Sequence, residues 1–341
     1  MLPSEREWAD VLPECIIFLD SQLHITGWNK TAASWFHLDE SANTQQPINT
    51  LLELTGFEPS QFKSAREQSV EVKWGGLSRM YLSYSVFPFE QGYLLFARDV
   101  TDVYKLERMR RDFVANVSHE LRTPLTVIHG YVESMSDRQE MNMCDARPIF
   151  MQMQQQCQRM ENLVEDLLLL AHLENGGNEV VEPHVVAVAP ILESILTDAK
   201  AVGKNVSHRF TLTVERSLYL KGSEQELRSL FSNLIFNAVK YTPEAGEINV
   251  SFVARGGNAV FEVKDTGIGI EKKYLNRLTE RFYRVDKARS RQNGGTGLGL
   301  AIVKHVLIRH QASLEIDSEP GVGSAFRCVF PANKVIVTKL S

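Results

Sequence analysis

Apolar positions between residues 106 and 135 recur at steps of three and four: Leu106, Met109, Phe113, Val117, Leu121, Leu125, Ile128, Val132 and Met135. That period is a coiled-coil seam, so 103–136 is predicted to be one long helix with the seam buried. A helix advances about 100° per residue, so His119, two residues from both Val117 and Leu121, points roughly 200° from each and faces water. Thr123 lies one turn on, on the same face. Pro124 has no N–H for the Glu120 carbonyl and weakens the helix there. A second stripe, Ile149, Met153, Met160, Leu163, Leu167 and Leu170, predicts a returning helix to about residue 173, after a polar link at 137–145. A hairpin this thin cannot bury both faces of its stripe alone. Two copies packed as a four-helix bundle can.

Shorter patterns flank the hairpin. Before it, strands fit 15–19 and 24–28 around the Asp20-Ser21 turn, a helix starts at Asn29-Lys30, and strands fit 70–74, 80–86 and 93–97. After it, 174–183 holds Gly176, Gly177 and Pro183 and reads as a linker. A helix over 190–202 and strands at 210–214 and 218–221 follow. Ser223-Glu224-Gln225-Glu226 has the form of a capping box opening a helix to about 241. Alternating strands at 248–253 and 259–263, a helix over 297–310, and two strands around Gly321-Val322-Gly323 complete the chain. The expected division is 1–102, 103–174 and 183–335, and the fold class is α+β, multidomain.

Composition adds limits. The 341 residues suit two or three domains, and a net charge of −5 gives no sign of nucleic acid binding. No run reaches the roughly 18 apolar residues of a membrane span, and no signal-peptide pattern opens the chain. The chain as given is therefore expected to be soluble and cytoplasmic. Four cysteines, Cys15, Cys144, Cys157 and Cys328, are widely spaced and form no metal pattern. His24 and His37 read as surface histidines rather than haem ligands.

Three stretches carry candidate chemistry beyond the hairpin. Asn233, Asn237 and Tyr241 fall at steps of four with Lys240 beside them, a row that suits a polyphosphate and its Mg²⁺. Taken alone, it is only a polar stripe. Asp265-Thr266-Gly267-Ile268-Gly269-Ile270 follows a strand. Its carboxylate can accept from an exocyclic amine, and its glycines allow close backbone approach; the alternative is an ordinary strand-end turn. Gly294-Gly295-Thr296-Gly297-Leu298-Gly299-Leu300 opens a helix, where exposed N–H groups favour anions. The spacing is neither Walker A nor the dinucleotide fingerprint.

The stretch 113–125, with His119-Glu120 followed by Arg122-Thr123-Pro124-Leu125, resembles the phosphoacceptor box of sensor histidine kinases. The other three resemble the N, G1 and G2 boxes of that family's ATP domain, a Bergerat or GHKL-type fold. Arg281-Phe282-Tyr283-Arg284 sits where the family has its F box, and the first unit resembles a PAS domain. The run 278–305, with its basic lid at 287–291, looks closest to the phosphate-regulon sensor kinases. Those kinases have a membrane anchor before the PAS domain; this chain lacks one, so membrane contact is expected only through an anchor outside it.

The resemblance implies a PAS-like α/β sensor domain, an antiparallel hairpin forming a dimeric four-helix bundle, and a two-layer α/β ATP-binding sandwich. It implies that Asp265 reads adenine, Asn237 holds Mg²⁺, Asn233 and Lys240 support the phosphates, and Tyr241 lines the pocket. Gly267, Gly269, Arg284, Gly295, Thr296, Gly297, Leu298 and Gly299 would complete the ATP site. His119 would attack the γ-phosphate and Glu120 accept the other ring proton. The phosphoryl group would then pass to an aspartate of a response-regulator receiver domain, of the phosphate-starvation type. Thr123 would position water for dephosphorylating that regulator. Two alternatives are an ATPase of this fold without phosphotransfer and a non-catalytic dimeric scaffold; the box around His119 argues against the first, the complete ATP motifs against the second.

Overall fold

The computed structural model describes residues 8–48, 50, 68–74, 78–89, 92–136, 143–175, 184–202, 207–285 and 296–338. The chain divides into two compact units, Met1–Val114 and Ala115–Ser341.

The first unit is built on β1 (Cys15–Leu19), β2 (Ile25–Trp28), β3 (Gln68–Trp74), β4 (Ser78–Phe89) and β5 (Gly92–Asp99), an antiparallel sheet of order β2-β1-β5-β4-β3. The helices α1 (Lys30–Phe36) and α2 (Glu40–Asn43) follow β2. Alternation along β1 and β5 sends Cys15, Ile17, Leu19, Leu95 and Ala97 to one face, where they pack with Ile25, Ala32 and Ile48. Asn29 ties this core together. Its Oδ1 accepts from Ala32 N at 2.9 Å, capping α1, and from Ile16 N at 3.1 Å, while Nδ2 donates to the Ala9 and Glu14 carbonyls. A buried amide satisfied on both sides fixes the strand-to-helix turn. The result is a PAS-like unit. At its exit Thr101 N donates to Asp99, Tyr81 N donates to Thr101 Oγ1, and the Tyr81 ring stacks on Tyr104 at 3.8 Å. These contacts pin the start of α3 (Thr101–Ser136) to the sheet.

The second unit holds the rest of α3, its return helix α4 (Met143–Asn175), and an α/β sandwich. The first helix continues straight through Pro124, although the ring removes a helical bond. Two hydroxyls flank that gap: Thr123 Oγ1 donates to the His119 carbonyl at 3.1 Å and Thr126 Oγ1 to the Arg122 carbonyl at 2.9 Å. The seam is not buried as its period predicts. Leu106, Met109, Leu125 and Val132 are 47 to 65% exposed, while Phe113, Val117, Leu121, Ile128 and Met135 are half-buried. On α4, Leu163 and Leu170 are buried.

The sandwich contains β6 (His184–Ala187), α5 (Val188–Val202), β7 (Arg209–Val214), β8 (Leu218–Gly222), α6 (Glu224–Tyr241), β9 (Glu247–Arg255), β10 (Asn258–Asp265), α7 (Lys272–Leu275), α8 (Gly299–Arg309), β11 (Ser313–Glu319), β12 (Gly323–Phe330) and β13 (Val335–Val337). Its main sheet has the order β11-β12-β10-β9-β7; β7 and β9 are parallel, the other pairs antiparallel. A small sheet, β13-β8-β6, closes one end. Helix α6 lies on β9 and β10, with α5 and α8 packed against it. Phe231 on α6 meets Phe261 on β10 at 4.5 Å between ring centroids, both fully buried. Burying one such ring contributes roughly 1.5–3 kcal/mol. Only half of the expected capping box forms. Ser223 Oγ accepts from Glu226 N at 3.4 Å, but the buried Glu226 carboxylate goes to Arg309 at 3.1 Å and faces His310 at 3.7 Å.

Candidate functional site

One cavity of about 1340 Å³ gathers most of the expected residues. Because α6 turns every 3.6 residues, Asn233, Asn237 and Tyr241 share a face with Lys240 at its edge, and all four line the wall. The end of β10 adds Asp265, and the following loop adds Gly269. Arg284, Thr296, Gly297 and Gly299 close the far side, and Asn162 and Asp166 come from α4. Gly295 and the lid at 287–291 lie outside the described residues.

Two expected members are not in that wall. Leu298 is completely buried, so its side chain belongs to the core and not to a ligand. Gly267 acts one step back: its N–H donates to Asp265 Oδ1 at 2.8 Å. The glycines also make room for the protein's own atoms. At Gly269 the backbone is left-handed, with φ at 65°, and a Cβ would meet the Glu319 carbonyl; at Gly299 a Cβ would meet the Asn233 side chain. That is how both shape the pocket.

The cavity wall carries groups of both charges. Asp265 is buried; burial pushes its carboxyl above the usual carboxylate range, while the N–H groups of Gly267 and Ser324 pull it back. A fixed carboxylate in an apolar wall can accept from an amine-bearing ring. In the same wall Lys240 is held down to about 8, first by burial and then by the Arg284 and Arg159 guanidiniums. The Arg284 side chain is only 10% exposed, and its Nη2 has no hydrogen-bond partner among the described residues. Crowded cations with an unpartnered donor suit a polyphosphate. A carboxylate and clustered cations in one cavity suit a ligand that carries both an amine-bearing ring and phosphates, such as a nucleoside triphosphate.

His119 is exposed on α3, outside the cavity wall. Its neighbour Glu120 reaches the site. The Glu120 carboxylate takes Arg159 Nη2 at 3.1 Å and lies 3.5 Å from Arg284 Nη1. Adjacent helical residues diverge, and here the carboxylate lies on guanidiniums rather than on the imidazole. Thr123 is exposed on the His119 face. Further contacts join α4 to the sandwich. Thr296 Oγ1 donates to Asp166 at 3.1 Å, and Glu174 binds Arg281 and lies 3.4 Å from His305. Burial raises the Asp166 carboxyl, with Glu165 adding and Thr296 opposing. Arg159, Asp166 and Glu174 were not among the sequence candidates. They sit on the polar side of a helix read for its apolar stripe, and their partners are 39 to 130 residues away.

Comparison with known proteins places these parts. Residues 109–176 match the family described as the His Kinase A (phospho-acceptor) domain, and residues 222–334 match the histidine kinase-, DNA gyrase B- and HSP90-like ATPases. The chain is 46% identical over 339 residues to the phosphate regulon sensor protein PhoR of Pseudomonas aeruginosa, covering 97% of this chain and 74% of that protein. It is 32% identical over 335 residues to the Haemophilus influenzae protein of the same name, covering 95% and 75%. The Acinetobacter baumannii histidine kinase AdeS shares the fold, with a TM-score of 0.52 and 22% identity over 63% of this chain and 98% of that one.

Proposed function

The chain belongs to the sensor histidine kinases, and we propose that His119 takes the γ-phosphoryl group of an ATP held in the cavity beside Asn237, Lys240 and Asp265. Asp265 accepts from the adenine amino group. Lys240 and Arg284 face the phosphates, Asn233 and Thr296 flank them, and Tyr241 borders the ring. The Asn237 amide oxygen is a hard ligand of the kind Mg²⁺ takes alongside water and phosphate oxygens, and the bound ion would neutralise charge on the transferring group.

In the transfer, one ring nitrogen of His119 forms a bond to the γ-phosphorus. The bond from that phosphorus to the β–γ bridging oxygen breaks, and ADP leaves with the electron pair. Glu120 accepts the proton of the other ring nitrogen. The phosphoryl group then moves to an aspartate oxygen on a response-regulator receiver domain of the phosphate-starvation type, which frees the imidazole. The reaction consumes ATP, which places it in the cytoplasm. The exposed seam of α3 pairs with that of a second copy, giving a homodimer joined by a four-helix bundle.

One observation carries this reading: Glu120, next in sequence to the exposed His119, is ion-paired with Arg284, a wall residue of the cavity. Incubation with γ-labelled ATP and Mg²⁺ tests it. Acid-labile label on the protein, absent in His119→Ala, is the expected result. Phosphate released to solution with none on the protein would make this an ATPase, and neither product would make it a scaffold.

A further inference from the structure

The arrangement around Glu120 goes beyond this reading while resting on it. We propose that Arg159 is a positioning residue for Glu120, and that Arg284 shares the same carboxylate only until triphosphate enters the cavity. Loading the site then leaves Glu120 on Arg159 alone.

The two contacts are unequal. Arg159 Nη2 donates to Glu120 Oε2 at 3.1 Å, an ordinary charge-assisted bond, whereas Arg284 Nη1 lies 3.5 Å from Oε1, at the outer limit. Arg284 faces two ways. It touches Glu120 with one arm, lines the cavity, and keeps Nη2 buried without a partner among the described residues. Arg159 is on α4 and is not part of the cavity wall. Three cations, Arg159, Arg284 and Lys240, therefore gather near one carboxylate, and the crowding is felt at Lys240. A triphosphate carries more charge than a carboxylate and offers several acceptor oxygens. It outcompetes Glu120 for Arg284, and nothing in the wall competes for Arg159. The chemical step is unchanged: nitrogen to phosphorus bond made, bridging oxygen bond broken, ring proton to Glu120. What Arg159 adds is the place where that carboxylate waits, since residue 120 does not face residue 119 on a helix.

Two arms test the clamp in the full chain. In the kinetic arm, Arg159→Ala should lower the autophosphorylation kcat by about tenfold or more, but by no more than the roughly 10²–10⁴ that a positioned base contributes, while KM for ATP moves less than about threefold. Arg159→Lys should recover most of the rate. In a Glu120→Gln background Arg159→Ala should add nothing, because both changes disable one unit. In the binding arm, a non-hydrolysable ATP analogue should bind Glu120→Gln about two- to fivefold tighter than wild type, and that gain should vanish with Arg284→Ala. A rise in KM matching the fall in kcat would make Arg159 a nucleotide ligand instead. Additive losses with Glu120→Gln, or an unchanged rate, would remove its positioning role. Unchanged or weaker analogue binding by Glu120→Gln would overturn the sharing of Arg284. The binding arm needs no phosphorylation, so it stands or falls separately from the kinase reading.

Discussion

Two helices of this chain carry nearly the same apolar period and meet different fates. On α6, Leu227, Leu230, Phe231, Leu234, Ile235 and Ala238 are all at most 4% exposed; on α3, Leu106, Met109, Leu125 and Val132 are 47 to 65% exposed. The difference is what each faces. A sheet from the same chain covers α6, whereas among the described residues the seam of α3 is covered only in part, Phe113, Val117, Leu121, Ile128 and Met135 being half-buried. The period tells which side of a helix will be dry, not what dries it. The polar faces diverge in the same way. That of α6 lines a cavity fit for a small molecule, whereas that of α3 holds His119 and Thr123 in the open, where a protein can reach them.

The largest expected effect separates these faces by chemistry. His119→Ala should remove all acid-labile label while nucleotide binding stays at wild-type strength. Asn237→Ala should remove the label as well, by loss of productive Mg²⁺ binding. Normal labelling of either variant at saturating MgATP would break the division. The next effect separates the dry faces. Phe231→Ala should cost about 3–5 kcal/mol, as for other fully buried rings, with no dependence on protein concentration. Leu125→Lys should leave thermal unfolding of the sandwich nearly unchanged, because the side chain is exposed in the single chain. In a dimer it buries a charge, which costs several kcal/mol unless paired, so sedimentation should show monomers. A Leu125→Lys protein that stays dimeric at micromolar concentration would remove the seam from the interface.

The same contrast explains what was legible in the sequence. Strands β9 and β10 run for nine and eight residues, and α6 and α3 hold their period for several turns, so all four are read directly. Strands β6 and β13 have four and three residues, too few for alternation to register. The candidates on α6 share one cavity wall because one helix carries them all. Arg159 and Asp166 were missed because their partners come from other helices and loops, and no spacing encodes a contact across 130 residues. The inward turn of the Leu298 side chain was not legible, because a motif shows which residues travel together, not which of them turn inward. Glu226 looked like a cap but was drawn to Arg309, a buried pairing that outweighs an exposed one.

A smaller effect concerns the cations in the cavity wall. Lys240 is held down to about 8 by burial and by two guanidiniums, and bound phosphates would raise it again. A lysine whose pKa is higher in the complex adds affinity that is complete below its free value and is lost as pH rises through its bound value. ATP binding should therefore be steady near neutrality and weaken above pH about 8. The terminal phosphate, with a second pKa of about 6, is by then fully ionised and adds no slope of its own. Titrating Kd across this range checks it. Lys240→Arg should flatten the profile, because a guanidinium does not lose its proton there. A wild-type profile already flat to pH about 9.5 would separate Lys240 from the phosphates.

The smallest change to kinase activity, and the most specific, is expected at Thr123. Its hydroxyl donates to the His119 carbonyl at 3.1 Å, one turn back, on the exposed face. A hydroxyl has one proton and two lone pairs, so this bond leaves the oxygen free to accept from a water. That water would stand where a docked regulator presents its phosphoaspartate, and the helix bond would hold the oxygen still. The competing reading is local: the residue precedes Pro124, and its bond offsets the one the ring removes. The two readings part on substitution. If Thr123 positions water, Thr123→Ala should label His119 within about twofold of wild type, since exposed substitutions seldom shift stability beyond about 0.5 kcal/mol. It should pass phosphate to the regulator normally. The regulator's phosphate should then persist several times longer in the presence of excess kinase and ADP, and Thr123→Ser should restore its loss. An unchanged lifetime would leave Thr123 as a support for the proline turn. Equal loss of labelling and of dephosphorylation would mean that the helix, not the water, had been disturbed.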